Sequence, residues 1–283
     1  MAFPETIELT RVVRDALSED TSGGDLTTNF LITEPEKASA TFISKEPGVI
    51  SGFFVVEEVF KQIDPQLVFD ASYVDGDTVN EGIALANVSG NLASILKAER
   101  TALNFLQRMS GISTFTAKFV RCVKHTQASI VDTRKTVPGL RSLDKYAVTA
   151  GGGINHRRNL GDGILIKDNH IAVLQSKGLV IEQIIQKARE YAPRTLKIEV
   201  EVETLEQVES AIKGGADILL LDNMSIEIMR RSVELCSGKC LTEASGGITL
   251  NNVIDVAETG VDMISIGAIT HSVQALDISL DIE

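Results

Sequence analysis

Residues 197–223 read KIEVEVETLEQVESAIKGGADILLLDN. A short β-branched run, KIEVEV, leads into TLEQVESAIKGGA, whose apolar residues recur at helical spacing, and then into a second apolar run, DILLLDN. Strand, amphipathic helix, strand is the pattern of a βαβ unit, and such units build parallel sheets. The alternation continues in both directions. ASIVDT (128–133) and GILIKD (163–168) precede it, and CLTEAS (240–245) and MISIGA (263–268) follow. VIEQIIQKAREYA (180–192) and TLNNVIDVAETG (249–260) supply further helical patterns. Six or seven strands fall short of a closed eight-stranded barrel. The pattern predicts an incomplete or modified α/β barrel, with a doubly wound sheet as the alternative.

Upstream the pattern is different. Residues 5–19 have helical spacing and run into SEDTSGGDLTT (18–28), a loop by composition. Residues 38–52 and 66–90 read as short strands broken by Gly, Pro and Asp turns, with the helix VVEEVFKQI (55–63) between them. LASILKAERTALNFLQRM (92–109) is amphipathic and sets Lys97, Arg100, Asn104 and Arg108 on a face of their own. After Gly111 a second helical stretch, STFTAKFVRCVKH (113–125), leads into the alternating array. These features predict an N-terminal α+β sandwich domain over 1–110 and a barrel domain over 111–272. The tail from about 273 to 283 is expected to pack on the first domain.

Composition narrows the class. With 283 residues, 43% of them hydrophobic, the chain can bury a large core without staples. The N-terminus, MAFPETIELT, has no basic region followed by an apolar export segment, and no apolar run approaches the ~20 residues of a membrane span. Cys122, Cys236 and Cys240 are odd in number and lack metal-ligand company, so they are expected to be reduced thiols in a cytoplasmic protein. A net charge of −12 argues against a nucleic-acid surface. Yet residues 97–170 carry 13 basic and 5 acidic side chains, a balance of +8 against −20 for the remainder. Either this is a solvated charged face, or it is a focused site for anions.

What ends each strand bears on that choice. ASIVDT runs into Thr133, Arg134 and Lys135; GILIKD ends on Lys167 and Asp168; KIEVEV holds Glu199 and Glu201. DILLLDN ends on Asp222 and Asn223, and CLTEAS contains Glu243 and Ser245. One polar residue in such a place is usually a helix cap, but five strands in succession suggest the strand-end site of a barrel. Ser245, Gly246 and Gly247, followed by Thr249 as an expected N-cap, could bring backbone N–H groups to a phosphate, as could Ile266, Gly267 and Ala268. Arg134, Lys135, Arg141, Lys145, His156, Arg157, Arg158 and Lys167 form a basic cluster, and the arginine fork suits carboxylates and phosphates. Gly151 to Gly153 either approach a ligand or form a turn.

At these residues the chain closely resembles the quinolinate phosphoribosyltransferase family. The resemblance runs through SGGDLTT, ERTALNFLQRMSGIST, DTRKTVPGLRSLDKYAV, GGGINHRRNLGDGILIKDNH, EVEVETL, LLLDN, EASGGI and SIGAITHS, nearly the whole chain. It implies a homodimer that uses quinolinate and 5-phosphoribosyl 1-pyrophosphate, with Mg2+, to make nicotinate mononucleotide, pyrophosphate and CO2. By motif, Arg134, His156, Arg157 and Lys167 would hold the quinolinate carboxylates beside Thr133, with Arg100 entering from the partner subunit. Lys135 and Lys167 would face pyrophosphate. Glu201 and Asp222 would meet the ribose hydroxyls and the metal, directly or through metal-bound substrate. Ser245, Gly246 and Gly247, with Ile266, Gly267 and Ala268, would take the 5-phosphate. Three alternatives stay open: a relative tied to molybdate transport, an aldolase with Lys167 as Schiff base, and a phosphoribosyl sensor without turnover.

Overall fold

A computed structural model describes residues 6–283; residues 1–5, including the first residue of the predicted N-terminal helix, lie outside the described part. The chain forms two compact units. The first takes residues up to Ala117, Lys135–Gly152 and Ala268–Glu283; the second takes Lys118–Arg134 and Gly153–Gly267.

The first unit opens with α1 (Thr6–Thr21), α2 (Leu26–Leu31), β1 (Lys37–Ser44), β2 (Gly48–Val49), α3 (Phe53–Ile63), β3 (Val68–Ala71), β4 (Thr78–Val79), β5 (Ala84–Asn91) and α4 (Leu92–Val123). α2 begins inside the stretch expected to be loop. Asp25 makes the difference: its carboxylate accepts the Thr28 N–H at 2.9 Å and satisfies one of the orphan donors of a helix start. β1 pairs antiparallel with β5, and β5 with β3; the core of this layer is aromatic. Phe60 of α3 lies edge-on to Phe42 of β1 and stacked on Phe69 of β3, each pair with centroids about 6 Å apart. Phe42 and Phe60 are essentially inaccessible to water, worth roughly 1.5–3 kcal/mol each in burial.

α4 is one helix of 32 residues, not two broken at Gly111. Gly111 serves packing: a Cβ there would run into the Gln274 carbonyl and Ala275 Cα, so its absence lets the C-terminal segment cross the helix closely. Leu276 N–H then donates to the Gln107 carbonyl at 3.0 Å.

The second unit carries β6 (Ser129–Val131). After α5 (Arg141–Ala150), which belongs to the first unit, come β7 (Ile164–Ile166), α6 (Asp168–Gln175), α7 (Ile181–Tyr191), β8 (Ile198–Val202), α8 (Leu205–Gly214) and β9 (Ile218–Asp222). α9 (Ile226–Cys236), β10 (Leu241–Ser245), α10 (Val253–Ala257) and β11 (Met263–Ser265) complete it. Every predicted strand of the array forms. All pairs are parallel, in the order β6-β11-β10-β9-β8-β7. A single parallel bridge, Val131 to Ile154, extends the β6 edge. This is an incomplete α/β barrel of six strands. Strands such as β8, buried on both faces except at Glu201, are the near-continuous apolar runs expected where helices cover the sheet.

Local chemistry sets the turns. Thr204 caps α8 by accepting from Gln207 N–H, and Gly215 ends it at φ +78°. α10 starts later than predicted: its N-cap is Asn252, not Thr249. Asn252 instead braces the loop before it, accepting from Thr249 N–H at 2.8 Å and donating to the Gly247 carbonyl at 3.0 Å.

The chain returns to the first unit through α11 (Ala268–His271) and β12 (Ile278–Ile282), which pairs antiparallel with β1 at the sheet edge. In the same unit Arg108 of α4 makes two hydrogen bonds, 3.0 and 2.8 Å, to the buried Asp144 of α5. Gly151 closes α5 where a Cβ would strike the Ser113 carbonyl, so this glycine also serves packing. Among the described residues no helix is long and apolar enough to cross a membrane.

Candidate active site

Parallel register brings the strand-end side chains of the second unit into rows. Asp222 is paired with Ser245, and Leu220 lies between Glu201 on one side and Glu243 on the other. Because side chains alternate along a strand, Glu199 and Glu201 share one face of β8, and Glu243 and Ser245 share one face of β10. The shared face is the barrel interior. Glu199 and Glu243 stand two strands apart yet reach one ring: His156 Nε2 lies 3.2 Å from a Glu199 carboxylate oxygen and 3.1 Å from one of Glu243. Inward-pointing residues from alternate strands meet in this way within a barrel layer.

His156 follows the Val131–Ile154 bridge, and its backbone N–H donates to Asp132, which is wholly buried, at 2.9 Å. Burial opposes charge on the imidazole, but the Glu199 and Glu243 carboxylates, both within ion-pair distance of Nε2, outweigh it and raise its pKa to about 10. Burial raises the Glu199 carboxyl pKa against the opposing pull of His156, and Glu243 adds to the rise. Burial also lowers the Arg157 pKa, followed by repulsion from Arg134. The two guanidinium groups are therefore near enough to repel each other, and Arg134 Nε is buried without a hydrogen-bond partner.

Nearer the strand ends the charge is negative. Burial raises the Glu201 carboxyl pKa, Asp222 and Asp168 raise it further, and Lys167 works against them. Lys167 itself is exposed at the start of α6, its N–H donating to His170 Nδ1 at 3.0 Å. That exposure is unlike the desolvated amine of a Schiff-base lysine. Asp222 accepts a 2.7 Å hydrogen bond from the Asn223 amide, and Asn223 N–H donates to the Ser245 carbonyl. Asn223 is the one non-glycine with positive φ (52°) among the described residues. Gly246 and Gly247 take φ of +92° and +62°, and a Cβ on Gly246 would collide with the Asn223 side chain.

The second unit thus contains Thr133, Arg134, His156, Arg157, Lys167, Glu201, Asp222, Ser245, Gly246, Gly247, Ile266 and Gly267. Arg100, exposed on α4, and Lys135 and Ala268, the next residues after Arg134 and Gly267, belong to the first unit. Of the basic cluster, Lys145 is buried within α5 and Arg141 donates to Thr136 at 3.1 Å, both in the first unit. Sequence reasoning placed Glu199 and Glu243 among the strand-end polar residues but gave them no role, and it passed over Asp132. The available signal was charge at interior positions of otherwise apolar strands.

Comparison with known proteins bears on this geometry. Residues 25–110 match the family model "Quinolinate phosphoribosyl transferase, N-terminal domain", and residues 112–281 match the corresponding C-terminal domain. The chain belongs to the quinolinate phosphoribosyltransferase family. It is 43% identical over 276 residues to the probable nicotinate-nucleotide pyrophosphorylase [carboxylating] of Bacillus subtilis, covering 98% of this chain and 94% of that one. It is 40% identical to a quinolinate phosphoribosyltransferase [decarboxylating] of Nicotiana tabacum, named mitochondrial, covering 98% of this chain and 83% of that one. Among solved structures, the nicotinate-nucleotide pyrophosphorylase from Francisella tularensis superposes with a TM-score of 0.93 at 38% identity, covering 99% and 98% of the two chains. The fold of this family member is therefore that of solved relatives along nearly its whole length.

Proposed function

We propose that the chain transfers the phosphoribosyl group of 5-phosphoribosyl 1-pyrophosphate to quinolinate, with loss of CO2, giving nicotinate mononucleotide and pyrophosphate for NAD synthesis. The observation that carries the site assignment is the mutually repelling pair Arg134 and Arg157, the first with a buried, unpartnered Nε and the second next in sequence to His156. A buried donor without an acceptor costs about 1–3 kcal/mol, and two guanidiniums repel each other. A dianion relieves both. Quinolinate's adjacent carboxylates offer one acceptor group to each fork.

Held there, the pyridine nitrogen is directed at the anomeric carbon, and binding supplies the orientation a bimolecular reaction lacks. The N–C1 bond forms as the bond to pyrophosphate breaks. Positive charge develops on the ribose, where Glu201 and Asp222 are assigned, and negative charge on the leaving group, where Lys135 and Lys167 are assigned. Ser245, Gly246, Gly247, Ile266, Gly267 and Ala268 are assigned to the 5-phosphate. After transfer the carbon–carbon bond to the carboxylate next to the nitrogen breaks. Its electron pair is stabilised by the pyridinium and then takes a proton.

Glu201 and Asp222, close enough for Asp222 to raise the Glu201 pKa, are assigned to Mg2+, which binds through one or two carboxylates plus substrate phosphates. When bound, the ion supplies charge neutralisation at pyrophosphate. The closely clustered His156, Glu199 and Glu243 suit it less, because the imidazole, its pKa raised to about 10, is a cation with no lone pair to give a metal. We further propose a homodimer in which the partner's Arg100 completes each carboxylate pocket. The cysteines are unpaired, which suits a cytoplasmic setting.

The test is release of CO2 from quinolinate by purified protein with phosphoribosyl pyrophosphate and Mg2+. Quinolinate-dependent release, with nicotinate a far poorer substrate, is expected. Equal catalytic efficiency with nicotinate would overturn the two-carboxylate assignment.

A further inference from the structure

Glu199 and Glu243 have no part in the chemistry above, yet both are charged side chains inside the barrel, with only 6% and 2% of their side-chain surface exposed. Ionised carboxylates are costly to bury unless paired. Both are directed at one atom, Nε2 of His156. The ring is held at a second point as well, since its own backbone N–H is bound by buried Asp132. An imidazole anchored at its backbone and at Nε2 has a fixed orientation, with Nδ1 the remaining ring nitrogen.

We infer that Glu199 and Glu243 are positioning residues for quinolinate: together they clamp Nε2 of His156 and so fix the imidazole within the carboxylate pocket. The inference rests on the assignment of His156 to quinolinate given above. The electrostatics agree. Glu199 and Glu243 are the charged groups that act on the ring and raise its pKa to about 10, while Asp132 holds the backbone N–H of the same residue. Glu199 and Glu243 also draw on Arg157, so the same carboxylates support two of the cations assigned to substrate.

A competing role gives the opposite sign. If the glutamates acted only as buried negative charge beneath the pocket, replacing one with glutamine would remove repulsion and tighten binding of a dianion. If they hold His156, the same replacement loosens it. Glu199→Gln and Glu243→Gln are close in shape to the native side chains and differ in charge. The expected result is a rise of about tenfold in quinolinate KM for each, below the hundredfold that a misplacement of about 1 Å can cost. The KM for phosphoribosyl pyrophosphate should stay within about twofold. In a His156→Ala background, adding Glu243→Gln should cost little more, because the clamp has nothing left to hold.

The second measurement is 15N NMR of the His156 imidazole, at pH 8 and through a pH titration, in the wild-type protein and in Glu243→Gln. Nε2 should be protonated, and in Glu243→Gln its titration should fall toward the ordinary histidine range. Unchanged or lower quinolinate KM in both glutamine variants, or an unprotonated Nε2 in the wild type, overturns the clamp while leaving the substrate assignment standing. If His156→Ala leaves quinolinate KM unchanged, the assignment of His156 to quinolinate is itself wrong and the inference falls with it.

Discussion

Arg134 and Arg157 illustrate how much a single side chain's geometry can demand. Each sits within the second unit, one with an unsatisfied buried Nε and the other with its pKa lowered first by burial and then by its neighbour. A planar fork can engage a carboxylate through two parallel N–H donors, whereas lysine offers a compact charge. Arg134→Ala and Arg157→Ala should therefore each raise quinolinate KM by one to two orders of magnitude, as expected from losing a charged hydrogen bond worth about 1.5–3 kcal/mol. Arg→Lys should recover only part of that loss. Circular dichroism should show an unchanged fold, since neither side chain supports a helix or strand. Near-normal quinolinate kinetics in both alanine variants would place the carboxylate pocket elsewhere.

At the scale of elements, the strands of the barrel were legible because period and composition agree: β-branched runs alternate with amphipathic helices, and polar residues recur at the strand ends. The strand-end placement of Glu201, Asp222 and the glycine loop after β10 was readable for the same reason. Three features were not. The short helix α2 depends on one capping carboxylate, Asp25. The unbroken course of α4 depends on Gly111 serving a contact with residues 274 and 275, which local sequence does not reveal. The meeting of Glu199 and Glu243 at His156 needs the curvature of the sheet, and no linear spacing encodes that. The loop after β10 shows a further constraint. Gly246 has φ +92° and sits where any Cβ would strike the Asn223 amide, which in turn donates to Asp222. Gly246→Ala should strain the backbone and displace Asn223, disturbing the assigned 5-phosphate and ribose contacts together. The expected outcome is a rise of tenfold or more in KM for phosphoribosyl pyrophosphate, with quinolinate binding measured by calorimetry changed little. Unaltered kinetics in this variant would remove the loop from the phosphate site.

For the whole molecule the decisive residue lies outside the barrel. Arg100 is exposed on α4, in the first unit, whereas the strand-end series with Lys167 is in the second. Its assigned role requires a second subunit. If the site is composite, Arg100→Ala and Lys167→Ala damage different contributors to each site, and either homodimer alone should be nearly inactive. In a mixed dimer one site receives both altered residues and the other receives neither. Random re-pairing of equal amounts gives about half mixed dimers, the statistics of a two-fold symmetric pair. With one of two sites working in each, activity should return to about a quarter of the wild-type value. The measurement is CO2 release after the two variants are dissociated and reassociated, with subunit exchange followed by mass-tagged chains. Recovery near that fraction requires both the dimer and the crossing of Arg100. If exchange is complete and activity stays at the level of the separate variants, Arg100 acts within its own subunit or not at the site.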